Sequence, residues 1–383
     1  MAGEQMPVTP ALISWARQRA GLSPEEAAAK FPKIATWEAG DAAPTYPQLE
    51  ALADALKVPI AVFFFPKPPD VPPITESFRT LPVSRLDEIA PRIRLLLRKA
   101  KAFQISLAEL NGGRNPAERL ITRDLRTNTS TSAEQLAARV RDYLGISVAE
   151  QREWSSVEVA LEAWRTAFAK AGVFVFKDAF KAPRYAGFCL YDVEFPLIYV
   201  NNSAAKQRQI FTLFHELSHL LFHTSGIDFR ADDVLPLLGG DARRIEVLCN
   251  RFAGVFLVPD DALTQAMRGQ VADEATARLL ARQFHVSWLV VYRRFLDRNF
   301  IRQADYSAAQ AAADAAPEHE EGSGGNYYNT TMAYLGREFI GMAMREYYRN
   351  RITDAQLADH LGVSLKNLSG IEDRFLRAQA GRA

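Results

Sequence analysis

Three of the six histidines in this 383-residue sequence lie within nine consecutive positions. His215 and His219 are four residues apart, and Glu216 follows the first of them, in the sequence His215-Glu-Leu-Ser-His219. On a helix, four residues make about one turn and about 6 Å of rise, so both imidazoles can bind one metal ion at roughly 2.0–2.1 Å. Glu216 would then take a proton from a metal-bound water. The spacing predicts a zinc-dependent hydrolase, and a chance match in an unrelated helix is the alternative.

The residues around this motif have the period of an amphipathic helix. Apolar side chains gather on one face, namely Ile210, Leu213, Phe214, Leu217, Leu220 and Leu221. The opposite face carries Thr212, His215, Glu216, His219 and His223. Because histidines at i, i+4 and i+8 span about 12 Å, His223 is not expected to join the same coordination shell. It would either support a ligand or the substrate, or lie near the helix C-terminus, where the dipole favours positive charge.

The third protein ligand is expected from a second helix, which Pro259 ends. Within it, Glu246 and Asn250 share a face with Ala253, and Asn250 is a candidate for contact with a ligand or the substrate. Glu246 would complete a His, His, Glu set that leaves one zinc position open for water. Two alternatives stay open. Glu246 could be a first-turn carboxylate that stabilises its helix, and Asp228, in the loop after the motif helix, could be the ligand instead.

The motif and the second helix together resemble a known family. His215-Glu-Leu-Ser-His219 followed by Glu246-Val-Leu-Cys-Asn-Arg-Phe-Ala-Gly-Val-Phe-Leu-Val-Pro259 is similar to the ImmA/IrrE metallopeptidases, whose pattern is HExxH and then E-x-x-A-N-x-F-A, a short apolar run and Pro. The resemblance implies a cytoplasmic, zinc-dependent endopeptidase that cleaves a partner transcriptional repressor, often under stress or mobile-element control. It also implies that Glu246 is the third ligand. Cys249 replaces the usual Ala.

Length and composition set the broader expectations. A chain of 383 residues suggests two or three domains, and 48% apolar residues with a net charge of +1 describe a soluble globular protein without the overall basicity of a nucleic-acid binder. The two cysteines, Cys189 and Cys249, are too few for a disulfide framework and are expected to be buried thiols. Without a signal-like N-terminus or an apolar run of ~18–20 residues, a cytoplasmic protein with no membrane contact is expected.

The pattern of elements predicts an α+β, mostly helical fold in five segments. These are an XRE-like helix-turn-helix domain at 1–66, a Pro-rich connector and helical linker at 67–131, a zincin-like, ImmA/IrrE-like peptidase domain with a small antiparallel sheet at 132–302, a flexible linker at 303–325 and a C-terminal helical, helix-turn-helix-like domain at 326–383.

Three strands are expected in the peptidase domain, as an antiparallel meander near 173–177, 186–191 and 195–200. Zincin-like peptidases, which the sequence resembles, bind the substrate backbone along an edge strand beside the metal helix, and 195–200 is the candidate. Tyr185, Tyr191 and Tyr199 are candidates for a phenol that stabilises the developing oxyanion, although a buried tyrosine is more often part of a core.

The N-terminal segment has clear helix starts. Thr9-Pro10 predicts an N-cap, and Ser23-x-x-Glu26 and Thr45-x-x-Gln48 predict capping boxes. With Trp37-Glu-Ala-Gly40, the order of elements resembles an XRE-type helix-turn-helix. Between Ala28 and Glu38, however, the chain is about four residues short of the usual turn and full recognition helix, and a recognition helix needs some two turns to reach the major groove. Sequence-specific DNA binding and protein docking both stay open.

The C-terminal segment resembles a helix-turn-helix more closely. Thr353-x-x-Gln356 predicts a capped helix, Gly362 its end, and Ser364 the cap of the next helix. Only Lys366 and Asn367 are obvious groove contacts, so any DNA binding is expected to be weak and salt-dependent.

The sequence therefore favours a zinc endopeptidase whose partner is a protein substrate, a DNA-binding repressor. Two alternatives stay open: a transcription regulator or antitoxin-like protein that uses the peptidase domain for sensing or docking, and an inactive scaffold stabilised by zinc.

Overall fold

A computed structural model describes residues 5–56, 58–69, 90–182, 184–229, 240–315 and 326–380. Two compact units make up the described chain: residues up to 69 with 90–99, and residues 100–380. Within these ranges, no helix is long and apolar enough to cross a membrane.

The first unit is helical and has a core of its own. Its elements are α1 (Pro10–Ala20), α2 (Pro24–Lys30), α3 (Ile34–Ala39), α4 (Tyr46–Leu56) and a 3-10 turn (Ile60–Phe64). The capping box of Ser23 and Glu26 is confirmed in full. Thr9 precedes α1 but does not cap it, because its hydroxyl donates to the carbonyl of Phe65 at 2.7 Å. Helix α3, at the position of a recognition helix, has only six residues.

Helix α5 (Pro91–Leu110) belongs to the first unit up to residue 99 and to the second from residue 100. The sequence predicts a long helix from Val83 to Leu110, and the first part of that range, up to residue 89, lies outside the described residues. Four helices follow before the sheet, namely α6 (Ile121–Asp124), α7 (Ala133–Leu144), α8 (Val148–Glu153) and α9 (Val157–Lys170). The sequence also predicts helices near 133–145 and 157–171, and α7 and α9 confirm both.

Four strands form one mixed sheet in the order β1-β3-β2-β4: β1 (Phe174–Asp178), β2 (Tyr185–Leu190), β3 (Leu197–Asn201) and β4 (Gly226–Phe229). The antiparallel pairing of β2 with β3 is as predicted. The meander is wrong at β1, which pairs with β3 in parallel. All five residues of β1 are buried, as is typical of a strand covered on both faces, where parallel pairing occurs. Consequently β3 is an inner strand, and the prediction that 195–200 is an edge is also wrong.

Different layers cover the two faces of this sheet. Val175, Ile198 and Val200 pack into the same core as the motif helix α10 (Lys206–Leu221). On the other face, the rings of Phe176 and Phe103 stack at 4.4 Å, and Phe176 meets Phe339 edge-on at 5.1 Å. Since strand residues alternate between faces, the sheet separates the motif helix from the elements that carry Phe103 and Phe339.

The remaining helices complete the second unit. They are α11 (Gly240–Leu257), α12 (Asp260–Ala266), α13 (Glu274–Phe284), α14 (Trp288–Asp297), α15 (Gln303–Ala315), α16 (Tyr327–Leu335), α17 (Arg337–Tyr348), α18 (Asp354–Leu361) and α19 (Leu368–Ala380). The α+β, mostly helical fold class is confirmed.

Two predictions about the C-terminal third change. The segment expected to be a flexible linker begins with the 13-residue helix α15, whose Tyr306 packs against the core, while 316–325 lie outside the described residues. Thr353 caps α18 and Gly362 ends it, as predicted, but the side chain of Ser364 caps nothing and precedes a 3-10 turn. Because Phe339 of α17 packs on the sheet, these helices belong to the same compact unit as the sheet.

Candidate metal centre

Both faces of the motif helix α10 are buried, not only the apolar one. Every residue from Thr212 to Leu221 is buried. On the apolar side, the ring of Phe214 stacks on Phe256 at 4.1 Å and meets Trp164 edge-on at 4.9 Å. On the polar side, 2% of His215 is exposed and none of Glu216 or His219. From Thr212 onward the helix is therefore buried on its polar and its apolar side, and the two histidines and Glu216 of the motif lie inside the protein.

Two glycines let the polar face of α10 lie directly on the sheet. A methyl group at Gly187 of β2 would come within 2.5 Å of Thr212 Cγ2. A methyl group at Gly226 of β4 would come within 2.9 Å of His219 Cγ. Thr212 and His219 are seven residues apart and so share one side of the helix. The absence of side chains at these two glycines thus sets the depth of the helix and the position of the His219 ring.

Helix α11 brings Glu246 to the same place. The sequence also predicts that Val247, Phe252 and Phe256 of this helix pack in the core. Phe252 and Phe256 are buried, whereas Val247 is 50% exposed. The carboxylate of Glu246 faces the two histidines, with Oε2 at 3.4 Å from His215 Nε2 and Oε1 at 3.2 Å from His219 Nε2.

The C-terminal end of α11 is fixed by three side chains from other helices. Arg141 donates to the carbonyl of Phe256, Gln151 donates to Leu257 O at 3.0 Å, and Arg294 Nε donates to Val258 O at 3.2 Å. Arg294 also pairs with Asp297 at 3.0 Å and with Asp260. Buried helix-end carbonyls need such donors, and cations there oppose the negative end of the helix dipole.

The three donor groups have separations that suit a small tetrahedral ion. His215 Nε2 and His219 Nε2 are 3.1 Å apart, and each lies 3.2–3.4 Å from an oxygen of Glu246. Ligand atoms at roughly 2.0–2.1 Å from a tetrahedral zinc are about 3.3 Å apart. In the described chain these three residues are the set of His, Cys, Asp and Glu side chains that meets metal-binding geometry. Two imidazoles and one carboxylate therefore fit a metal with one open position.

The electrostatics of the cluster agree with this geometry. Burial alone would raise the pKa of Glu246, but the neighbouring His219 and His215 hold that pKa far below its ordinary value. Burial alone would lower the pKa of His219, but Cys249 and Glu246 raise it well above its ordinary value. Glu246 is thus an anion, as a metal ligand must be, and a metal ion bound here would compete with a proton for the His219 imidazole.

Glu216 lies beside this triangle and is not one of its three corners. It is fully buried, and it neighbours the thiol of Cys189 on β2. Burial, with Glu216 second, raises the pKa of Cys189 well above its ordinary value, so this thiol stays protonated. The Gly226 amide donates to Cys189 Sγ at 3.3 Å.

Sequence reasoning expected Cys189 and Cys249 only as buried thiols, yet both lie against residues of the centre. It also missed Gly187 and Gly226. Glycine inside a strand often marks a close backbone approach, and that signal could have found both positions.

His223 is not part of the triangle. It lies two residues beyond α10 with a left-handed backbone (φ 56), which ends the helix. Its Nε2 is 2.8 Å from the carbonyl of Thr122, and its ring stacks on Tyr191 at 4.8 Å. The structure therefore ties His223 to the short helix α6.

Two other candidates are not brought to the centre. Tyr199 is fully buried on the sheet face opposite α10, where it stacks on Phe188 at 5.1 Å and lies 3.5 Å from Asp178 Oδ2. Asn250 is half-buried one turn after Glu246, and among the described residues no hydrogen bond joins it to the three donors.

Asp228 lies in β4 opposite Gly187, not in a loop, and its side chain is outside the described part.

The segment that contains this centre matches a known family. Residues 168–296 match the family model of the IrrE N-terminal-like domain, a peptidase family. This IrrE-like segment runs from α9 to α14 and includes the sheet, both metal-site helices, Glu216 and all three donors. The match supports the ImmA/IrrE resemblance. No curated protein matches the chain.

Proposed function

We propose that this protein is a zinc-dependent endopeptidase. The observation that carries the proposal is the His215, His219 and Glu246 triangle, with 3.1–3.4 Å between its donor atoms, inside a segment that matches a peptidase family. A closed structural zinc site would use four protein ligands, whereas three ligands leave a position for water and substrate.

Each residue then has one task. His215, His219 and Glu246 hold the ion, which when bound polarises the scissile carbonyl and lowers the pKa of water toward neutrality. Glu216 accepts the proton of the attacking water and then donates it to the departing amine. The protonated Cys189 thiol beside Glu216 adds no negative charge, so it does not compete for that proton.

The substrate segment is proposed to add along β4. In the described sheet β4 is an edge strand, hydrogen-bonded to β2 on one side. It also packs against α10, since Gly226 lies under the His219 ring. A peptide added to this edge would run past the centre with its backbone hydrogen-bonded, and its side chains would alternate between two environments. At the opposite edge, α16 packs on β1 and Arg165 donates to Val175 O at 2.9 Å.

The substrate itself is proposed from the ImmA/IrrE resemblance to be a cytoplasmic, DNA-binding repressor. The helical modules fit docking better than DNA reading. Helix α3 has six residues, fewer than the two turns that a recognition helix presents, and the C-terminal segment offers only Lys366 and Asn367 as obvious groove contacts. The proposed role of the first unit is therefore to dock a protein partner. Any DNA binding is weak and sensitive to salt.

The replacement of Glu216 by Gln tests the proposal even while the substrate is unidentified. Glu216 is not a metal ligand, so Glu216→Gln should keep one zinc per chain and the fold, while the rate falls on the order of 10²–10⁴-fold. Wild type and variant would be expressed in a deletion strain, and new protein termini would be compared by mass spectrometry. We expect a cut that only wild type makes.

Glu118→Gln is the matched control, because Glu118 is an exposed glutamate outside the IrrE-like segment. It should behave as wild type. Identical termini in wild type and Glu216→Gln, with full rescue of the phenotype by the variant, would leave a binding protein or a zinc-stabilised scaffold.

A further inference from the structure

A cavity separate from the metal centre lies on the far side of helix α9 from the motif helix. It has a volume of about 860 Å³ and is bounded by α9, β1 and the C-terminal helices α16, α17 and α19, all within the second unit. None of the three metal donors lines it. Small-molecule sites commonly measure ~300–1,000 Å³, so this cavity is large enough for a ligand.

One wall is fixed by the buried guanidinium of Arg165, which is 6% exposed. It donates to Glu162 at 2.9 Å, to Ala333 O at 2.9 Å and to Val175 O at 2.9 Å. Gly336 (φ 80) makes room for it, since a methyl group there would lie 2.7 Å from Arg165 Nη2. The Glu162 carboxylate is therefore neutralised by the wall that carries it.

The opposite wall carries an excess of positive charge. Arg337 on α17 and Arg374 and Arg377 on α19 line the cavity together with the carboxylates of Glu338 and Asp373. In the described part of the chain, neither Arg337 nor Arg377 forms an ion pair within 4.0 Å, and Arg337 interacts with Glu162 at longer range. Helix α17 also begins here without a side-chain cap, so its first amide groups add to the positive potential.

The cavity also contains a flat aromatic surface. The ring of Tyr328 lies so close to α19 that a methyl group at Gly370 would be 2.4 Å from its Cε1. The Arg374 guanidinium lies 5.5 Å from the centre of this ring. Phe174 and Phe339 add apolar surface on the other side. The walls thus offer an anion site and a place for a planar ring.

We propose that this cavity binds a small aromatic phosphate of the nucleoside monophosphate class. Guanidinium groups bind phosphate through paired, charge-assisted hydrogen bonds, and a base would stack against Tyr328. Helix α9 separates this ligand from the metal centre, and its Trp164 packs on Phe214 of the motif helix. The ligand site is therefore separate from the metal centre.

Calorimetric titration with adenosine monophosphate tests the proposal, with adenosine and inorganic phosphate as separate probes. We expect adenosine monophosphate to bind at least roughly tenfold more tightly than either fragment, because each supplies only half of the contacts. Arg337→Gln and Arg377→Gln should each weaken binding by roughly tenfold or more, since each removes a charge-assisted bond. Both side chains are exposed, so circular dichroism should show an intact fold.

Arg268→Gln is the control for a lost surface charge, because Arg268 is exposed and does not line the cavity. It should bind like wild type, and so should Glu216→Gln, which separates this site from the peptidase proposal. No binding of adenosine monophosphate at millimolar concentration would overturn the inference. The inference would also be overturned if adenosine or inorganic phosphate alone bound as tightly as adenosine monophosphate. The same holds if Arg337→Gln and Arg377→Gln both bound adenosine monophosphate as tightly as wild type.

Discussion

The two ends of helix α11 carry buried polar clusters that differ in composition and in purpose. Near the start, Glu246 meets His215 and His219 at 3.2–3.4 Å. At the end, Arg141, Gln151 and Arg294 bind the last carbonyl groups of the same helix. The ligand atoms of the first cluster face one another, which suits a bound cation. The three side chains of the second cluster each donate to a different carbonyl group of the protein.

This difference shows how a buried polar group can be recognised as chemical or structural. All three guanidinium nitrogens of Arg294 donate to protein acceptors, and Gln151 alone bridges the carbonyls of Leu257 and Phe284, both at 3.0 Å. At the other end, the two histidines and the Glu246 carboxylate face one another at 3.1–3.4 Å. These three groups suit one shared metal ion. Loss of a residue should therefore affect metal content at one end and stability at the other.

The largest effect is expected for Glu246→Gln. A neutral amide is a poor zinc ligand, and the two remaining histidines do not make a catalytic site, so stoichiometric zinc and peptidase activity should both be lost. Elemental analysis of the purified protein measures this directly. Asp228→Asn is the comparison, because Asp228 is the other carboxylate that the sequence offered, and it should keep its zinc. The reverse result would assign the third ligand to Asp228.

The next effect is a loss of stability without a loss of metal. Arg294→Met removes the donor to Val258 O and leaves Asp260 and Asp297 without their buried partner. Removal of one member of a buried pair costs about 3–5 kcal/mol, and the lower end applies because both carboxylates remain partly exposed. Denaturant unfolding measures the change, and the folded variant should still bind zinc.

Arg298→Met is the matched control for Arg294→Met. Arg298 lies 3.8 Å from Asp260 but is 44% exposed, so its ion pair should contribute less than about 1 kcal/mol. Equal destabilisation by the two substitutions would show that the buried position of Arg294 has no special role in holding α11.

The same contrast explains how far sequence reasoning reached. The motif helix and Glu246 were predictable because the functional residues follow local spacing, one turn apart on a helix or inside one family pattern. The cluster of Arg141, Gln151 and Arg294 at the end of α11 was not predictable. Arg141 and Phe256 are 115 positions apart in the sequence, and Gln151 and Phe284 are 133 positions apart. No periodicity links such partners, and only the packed helices bring them together.

The sheet shows a second limit. The strands near 173–177, 186–191 and 195–200 were found from their apolar, β-branched composition, but strand order depends on which edges meet in three dimensions. Because β1 pairs with β3 in parallel, β3 is an inner strand, and the predicted substrate edge is lost. Tyr199 is excluded for a different reason: residues alternate between the two faces of β3, and its neighbours Ile198 and Val200 pack on the α10 side.

The smallest predicted effect concerns Gly226, which has no chemistry of its own. In Gly226→Ala, the new methyl group would lie 2.9 Å from His219 Cγ, too close for an unshifted ring. The ring should tilt away from His215 and Glu246, and zinc affinity should fall by about 10–100-fold, as for other residues that orient a ligand. Competition with a chromophoric chelator measures the affinity. Gly254→Ala is the control, because its methyl group would meet Arg294 Cδ at an ordinary 3.5 Å, and its zinc affinity should be unchanged. If Gly226→Ala bound zinc as tightly as wild type, the depth of α10 on the sheet would not be what positions His219, and the contact between Cys249 and the ring would become the feature to vary next.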